Sequence, residues 1–206
     1  MVSISDLEVG QKLEFSSGPF TRSGIFAYGK ASKDENGIHM SDDFAVKMKL
    51  NGVIAHGMYS FGTAIAALDN WLAGSGKITT IECQMRGMVR PGDCVYTIYT
   101  VKEIDGNKVT FDWEQFTKMP LAILKDGEVV QTFEAEDRSW YDAAKDTVKE
   151  EEITEPLKWL STTWDEEKGF PSGKYTESVE EIGEGTLRFV WRQSLLGLGT
   201  EIVLNE

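Results

Sequence analysis

The stretch VIAHGMYSFGTAIAALDNWLAGSG, residues 53–76, limits the fold of this chain more than any other. Met58, Phe61, Ile65, Leu68 and Leu72 recur at steps of three and four, and Ala64, Ala66, Ala67 and Ala73 fill the intervals, which predicts a helix. That helix is apolar nearly all round, so protein must wrap it, and Gly74-Ser75-Gly76 stops it. Beyond it the period changes to two. KITTIECQMRGMV, DCVYTIYTVKEI, NKVTFDWEQFTK and EVVQTFEAEDRSW read as four strands joined by turns at RPGD, DGN and KDG. One long buried helix followed by an antiparallel meander is an α+β arrangement, with the sheet curled around the helix.

The flanking regions are less regular. Residues 11–32 read as a strand, a turn at Ser17-Gly18-Pro19 and a second extended piece through Phe26 and Tyr28. After the polar loop from Lys33 to Asp43, DFAVKMKLNG predicts one or two helical turns ended by Gly52. From Trp140 onward the texture changes again. The acidic run Glu150 to Glu152 has the pattern of a solvated helix face or linker. KYTESVEEIG, GTLRFVWRQSL and TEIVL read as further strands, separated by Gly183, Gly185, Gly197 and Gly199.

Composition removes several function classes. A length of 206 residues suits one domain with an extension. The formal charge of -13 repels nucleic-acid phosphates and anionic membrane surfaces, so neither partner is expected. Cys83 and Cys94 both lie in strand-like apolar stretches, which argues against a disulfide framework and for a reducing compartment. Their spacing suggests no metal site. MVSISDLEVGQKLEF has no basic start followed by an apolar run, and the expected location is cytoplasmic.

The chemistry concentrates in two places. ASKDENGIHMSDDFA sets Asp34, Asn36 and His39 within six positions, and the only other histidine is His56. A turn at Asn36-Gly37 lets a carboxylate and an imidazole converge on one water, which is an acid–base arrangement near neutral pH. On spacing alone a plainer reading also stands, in which Asp34 and Asn36 cap a turn and His39 precedes a short helix. In the second place, GVIAHGMYSFG, the long helix begins at His56-Gly57. Helix starts expose unpaired N–H groups, and Gly57 lets a ligand approach them, as a thioester oxygen becoming an enolate would require. His56 there either meets the ligand or bonds a neighbouring carbonyl.

KDENGIHMSDDFA, GVIAHGMYSFG and ITTIECQMRGMVRPGD, in that order and at similar separations, resemble the MaoC-type dehydratases, which include the (R)-specific enoyl-CoA hydratases. The first signature of that family, Asp-x-Asn-Pro-aliphatic-His, corresponds to Asp34, Glu35, Asn36, Gly37, Ile38 and His39. Gly37 in place of proline is the one departure, and it relaxes the loop.

The resemblance implies a hot-dog fold, a curved antiparallel sheet around a helix from about Gly57 to Leu72. Asp34 and His39 would hold the water that adds to, or leaves, C3 of a trans-2-enoyl thioester. The Gly57 amide would bind the thioester oxygen, and the product would be an (R)-3-hydroxyacyl thioester. Asn36, His56 and Met58 are expected beside the substrate, and Arg86 and Arg90 at the phosphates of coenzyme A. Hydration of an activated alkene requires no cofactor or metal, and none is expected. The acyl-CoA tunnel of the family lies between protomers, which implies a homodimer or larger oligomer, with heterodimers among the relatives. The family pattern is expected over 1–140, leaving 141–206 as an extension too short for a second hot-dog unit. Two other functions share this fold: a non-catalytic acyl-CoA-binding subunit, and a thioesterase, for which the helix offers only Asp69.

Overall fold

In a computed structural model, which describes residues 2–205, the chain follows the expected α+β plan with several local differences. Strand β1 (Lys12–Ser17) leads to helix α1 (Arg22–Ser32) and two short helices, α2 (Gly37–Met40) and α3 (Asp42–Lys47). The long helix α4 spans Gly57–Leu72. Strands β2 (Gly76–Met85), β3 (Cys94–Asp105), β4 (Lys108–Lys125) and β5 (Glu128–Thr132) follow, then a single turn α5 (Glu134–Asp137). The chain ends with β6 (Thr147–Glu152), β7 (Leu157–Trp164), β8 (Tyr175–Ile182) and β9 (Thr186–Leu204).

The main sheet has its strands in the order β1-β3-β4-β9-β2 and is antiparallel, with β5 on β4 and β6 on β9. It takes α4 against one face in a hot-dog arrangement. Ala64, Leu68 and Leu72, one helical stripe, meet Tyr99, Val101, Val109, Phe111, Trp113, Leu195 and Ile202. Tyr99 also donates its hydroxyl to the Ala64 carbonyl at 2.9 Å, which satisfies both groups inside an apolar layer. The sheet covers only one side of the helix. Met58 is 55% exposed and Gly62 and Ala66 are open, so a single chain does not wrap α4 all round as its apolarity predicts.

The expected second extended piece is instead α1. Phe26 and Tyr28 suggest a period of two, but the residues actually buried are Arg22, Ile25 and Gly29, spaced three and four apart. Thr21 opens the helix by accepting the Gly24 amide at 2.9 Å. Likewise EVVQTFEAEDRSW stops being a strand at Thr132. The acidic run 150–152 lies on strand β6, where Glu150 pairs with Arg188 at 2.9 Å and Glu151 with Lys118.

The largest revision concerns the C-terminal segment. It is more than an extension of a finished domain, because β9 lies inside the main sheet between β4 and β2, so β2 does not join the meander at all. The glycines at 197 and 199 were expected to divide two strands, yet β9 runs through them. Gly197 is required by packing. A Cβ there would lie 2.3 Å from Cδ1 of Trp113, inside the indole. Gly197→Ala is therefore expected to destabilise the chain by about 1–3 kcal/mol through overpacking, read as a lower urea midpoint. The part that does lie outside the main sheet is the β7–β8 ribbon, fastened by Phe133 against Trp159 at 5.0 Å and by Arg22 with Glu177.

Candidate active site

The site forms where the loop after α1 folds back onto the start of α4. Asn36 caps α2, its side chain accepting the Ile38 amide at 3.2 Å, and the Asp34 carboxylate accepts the Asn36 amide at 3.4 Å, so both side chains cap the turn as the plainer reading has it. Gly37 is the first residue of α2, and the Phe44 ring occupies its open side. A Cβ would meet Cδ1 of Phe44 at 2.6 Å, which gives a local reason for glycine where the family signature has proline. The resulting turn carries His39 inward to 9% exposure while Asp34 stays exposed.

A carboxylate oxygen of Asp34 and one ring nitrogen each from His39 and His56 lie within 4.8 Å of one another. The backbone fixes both tautomers, because a carbonyl can only accept. Nδ1–H of His39 donates to the Ile54 carbonyl at 2.8 Å, which leaves Nε2 as the basic nitrogen. Nε2–H of His56 donates to the backbone carbonyl of Asp34, also at 2.8 Å. The two imidazoles stack with centroids 3.9 Å apart. Burial, together with the neighbouring His56, holds His39 below the usual histidine value despite the Ile54 bond and Asp34. At neutral pH His39 is therefore an uncharged acceptor.

Of the two alternatives for His56, the structure shows the bond to a neighbouring carbonyl. The residue is 2% exposed, and its bond fixes the carbonyl of Asp34 while its ring backs that of His39. Tyr28, unremarked in the sequence, flanks His56 at 5.0 Å. Gly29 is a second such residue. A Cβ on it would approach the Met40 sulfur at 2.6 Å, the Asp34 carbonyl at 3.1 Å and Cε1 of His56 at 3.2 Å. A glycine inside a helix is the signal for this close contact, masked in the sequence by the strand-like alternation of Phe26 and Tyr28.

Gly57 opens α4 and is exposed, so its amide lies in the first turn, where N–H groups lack intrahelical partners. The Met85 sulfur lies over it, 2.8 Å from where a Cβ would be, and Met58 beside it is exposed. Beneath this turn Ser60 is bonded to Gln115 at 2.5 Å, and Gln115 in turn to Thr97 at 3.0 Å. That buried polar network fixes the helix start to β3 and β4. Of the two arginines, Arg86 is exposed, whereas Arg90 is only 4% exposed and donates to the Gly52 carbonyl at 3.3 Å. The expected surface pair is thus divided: burial takes Arg90 off the surface.

A family model described as MaoC like domain matches residues 5–117. The chain belongs to that family. Three relatives are similar to parts of it. The 3-hydroxybutyryl-CoA dehydratase of Methylorubrum extorquens is 30% identical over 130 residues, covering 56% of this chain and 82% of that one. The (R)-specific enoyl-CoA hydratase of Rhodospirillum rubrum is 32% identical over 109 residues, 52% of this chain and 75% of that one. A stretch of 93 residues, 44% of this chain, is 37% identical to the fatty acid synthase subunit beta of Saccharomyces cerevisiae, of which it spans only 4%. Among solved structures, the ChsH1-ChsH2 complex of Mycobacterium tuberculosis matches with a TM-score of 0.50 at 12% identity. That match covers 96% of this chain and 98% of the other, and it bears on the fold alone.

The MaoC-like relatives are thus hydratases and dehydratases of CoA esters, and this chain has the fold of that family. Among the described residues no helix is long and apolar enough to cross a membrane. Cys83 and Cys94 are both free thiols, and burial pushes the Cys94 thiol up to about 12.

Proposed function

We propose that this MaoC-like chain is a hydro-lyase that adds water to a trans-2-enoyl thioester of coenzyme A, or removes it from the (R)-3-hydroxyacyl product. The convergence of the Asp34 carboxylate with a ring nitrogen of His39, whose Nε2 is left free to accept by the bond of Nδ1 to Ile54, carries this reading. Asp34 and His39 Nε2 hold one water between them. As its oxygen bonds C3, one of the pair takes the released proton and returns it to C2 when the enolate collapses, so that H and OH of one water are added across the double bond. The Gly57 N–H, at the positive end of α4, takes the charge that gathers on the thioester oxygen. No cofactor or metal enters these steps. The face of α4 left open by the sheet supports an assembly in which a second copy covers it, as a homodimer or as one half of a heterodimer.

The thioesterase alternative is disfavoured by the position of its only helix carboxylate. Asp69 lies twelve residues after Gly57 on α4, about 18 Å along the axis from the proposed oxyanion donor. The test is to mix the protein with crotonyl-CoA and follow the conjugated thioester absorbance and the release of free thiol. Loss of absorbance without thiol supports the hydratase. Thiol release, or binding with neither reaction, would replace it.

The state of His39 sets a pH dependence. A neutral imidazole is needed to accept a proton, and its value is lowered by burial, so activity is present above that value and lost as pH falls through it. The acid limb of kcat/KM is expected below the ordinary histidine value of about 6.5. A limb at or above that value would remove His39 from the role of base.

A further inference from the structure

A groove of about 580 Å³ runs from Met85 to the segment Ser139–Asp146, with Arg192 in its wall. Its near end abuts the proposed oxyanion donor, because Met85 is the residue lying over Gly57. Its far wall comes from outside the stretch matched by the family model, which ends at 117. The charge of this groove is opposite to that of the chain. Five cationic residues (Lys49, Arg86, Arg90, Lys145 and Arg192) line it against two carboxylates, Asp142 and Asp146, in a protein of formal charge -13.

The two carboxylates are already engaged. Asp142 pairs with Lys145 at 2.9 Å, and Asp146 receives two bonds from Arg192 at 3.0 and 2.7 Å. Lys49 and Arg86 are exposed and have no ion pair among the described residues. Behind them the guanidinium of Arg90 is buried against the Trp140 ring at 5.3 Å, and its Nε–H has no partner among the described residues. Cations in a recess with low-dielectric walls focus a positive potential that bulk acidity does not cancel. A second cavity of similar size, about 570 Å³, contains Glu151, Glu152 and Glu155 against Lys118 and Lys158, so it lacks this excess.

We infer that this groove holds the 3′-phosphoadenosine diphosphate end of the coenzyme A thioester, with the C-terminal segment around Tyr141 and Lys145 as its outer wall. The inference rests on the thioester reading of the site. It gives the C-terminal segment a part in binding the substrate carrier, in addition to its part in the sheet. A recess of this volume suits a nucleotide-sized group, whereas an acidic carrier protein needs a broad face.

Two measurements test it. Calorimetry with adenosine 3′,5′-bisphosphate is expected to detect binding that weakens as salt rises, and the Lys49→Gln/Arg86→Gln double variant is expected to weaken it about tenfold, two charge contacts at up to about 1 kcal/mol each. In the hydration assay, the ratio of kcat/KM for crotonyl-CoA to that for crotonyl-pantetheine is expected to fall about tenfold in the double variant. Lys12→Gln, on the outer strand β1, is expected to leave that ratio unchanged. Undiminished probe binding, an unchanged ratio, or a loss seen only with substrate borne on a carrier protein would overturn the groove assignment and leave the lyase standing. Hydration of neither thioester, with probe binding intact and sensitive to the double variant, would sink the lyase reading and leave the groove.

Discussion

Asp34→Asn and His39→Ala are each expected to lower kcat for crotonyl-CoA hydration by about 100-fold or more, because a positioned acid–base group contributes at least that much. Both side chains lie at the protein surface or just under it, and their removal takes no hydrophobic layer from the core around α4. Circular dichroism and the urea midpoint should therefore stay close to the parent for Asp34→Asn. His39→Ala removes a ring stacked on His56 and a bond to Ile54, so His39→Gln is the companion variant, able to keep a donor near that carbonyl. A residual rate above about a tenth of the parent in a folded variant would mean that some other group activates the water. The groups that support the pair act differently. His56 touches the backbone of Asp34 and the ring of His39, so its loss should misplace both without removing either.

Arg22→Met is expected to cost about 3–5 kcal/mol of stability, the largest effect of any single substitution considered. Arg22 is fully buried and bonds three carboxylates, Asp42 at 2.8 Å, Glu134 at 2.7 Å and Glu177 at 3.2 Å, from α3, α5 and β8. Its guanidinium also lies 5.1 Å from the Trp164 ring and 5.2 Å from that of Tyr175. Burial opposes its charge, but the bonds to Glu134 and Asp42 prevail and hold its proton more tightly than an ordinary arginine does. With methionine in its place, three poorly hydrated carboxylates would face one another without a cation. A loss of that size is a sizeable fraction of the 5–15 kcal/mol typical of a folded domain, and urea unfolding monitored by tryptophan fluorescence would read it. Arg22→Lys should fall between the two, because an ammonium keeps the charge without the planar fork. A cost below about 1 kcal/mol for Arg22→Met would mean that the β7–β8 ribbon is held by its apolar contacts alone.

The cluster also shows where sequence reasoning loses reach. Arg22, Asp42, Glu134 and Glu177 are scattered over 156 positions with no spacing rule to join them. In the span 22–32, Phe26 and Tyr28 alternate like a strand, while the capping Thr21 and the stripe Arg22, Ile25, Gly29 carry the helical period that prevails. At Gly197 the sequence offered a breaker, and packing against Trp113 made it a requirement for continuity. By contrast, α4 matched its expected bounds of Gly57 and Leu72, since sixteen residues of period 3.6 between a His-Gly start and a Gly-rich stop leave little freedom.

Local periodicity and turn chemistry by themselves determined the long helix and most of the strands that follow it, and they set Asp34 and His39 close enough to converge, because each depends on residues a few positions apart. Only the tertiary structure decided that β9 enters the sheet between β4 and β2, that the Ile54 carbonyl fixes the tautomer of His39, and that Arg90 is buried while Arg86 stays outside. Those outcomes depend on partners far away in the chain, and which distant surfaces meet is set by the summed packing of the whole chain.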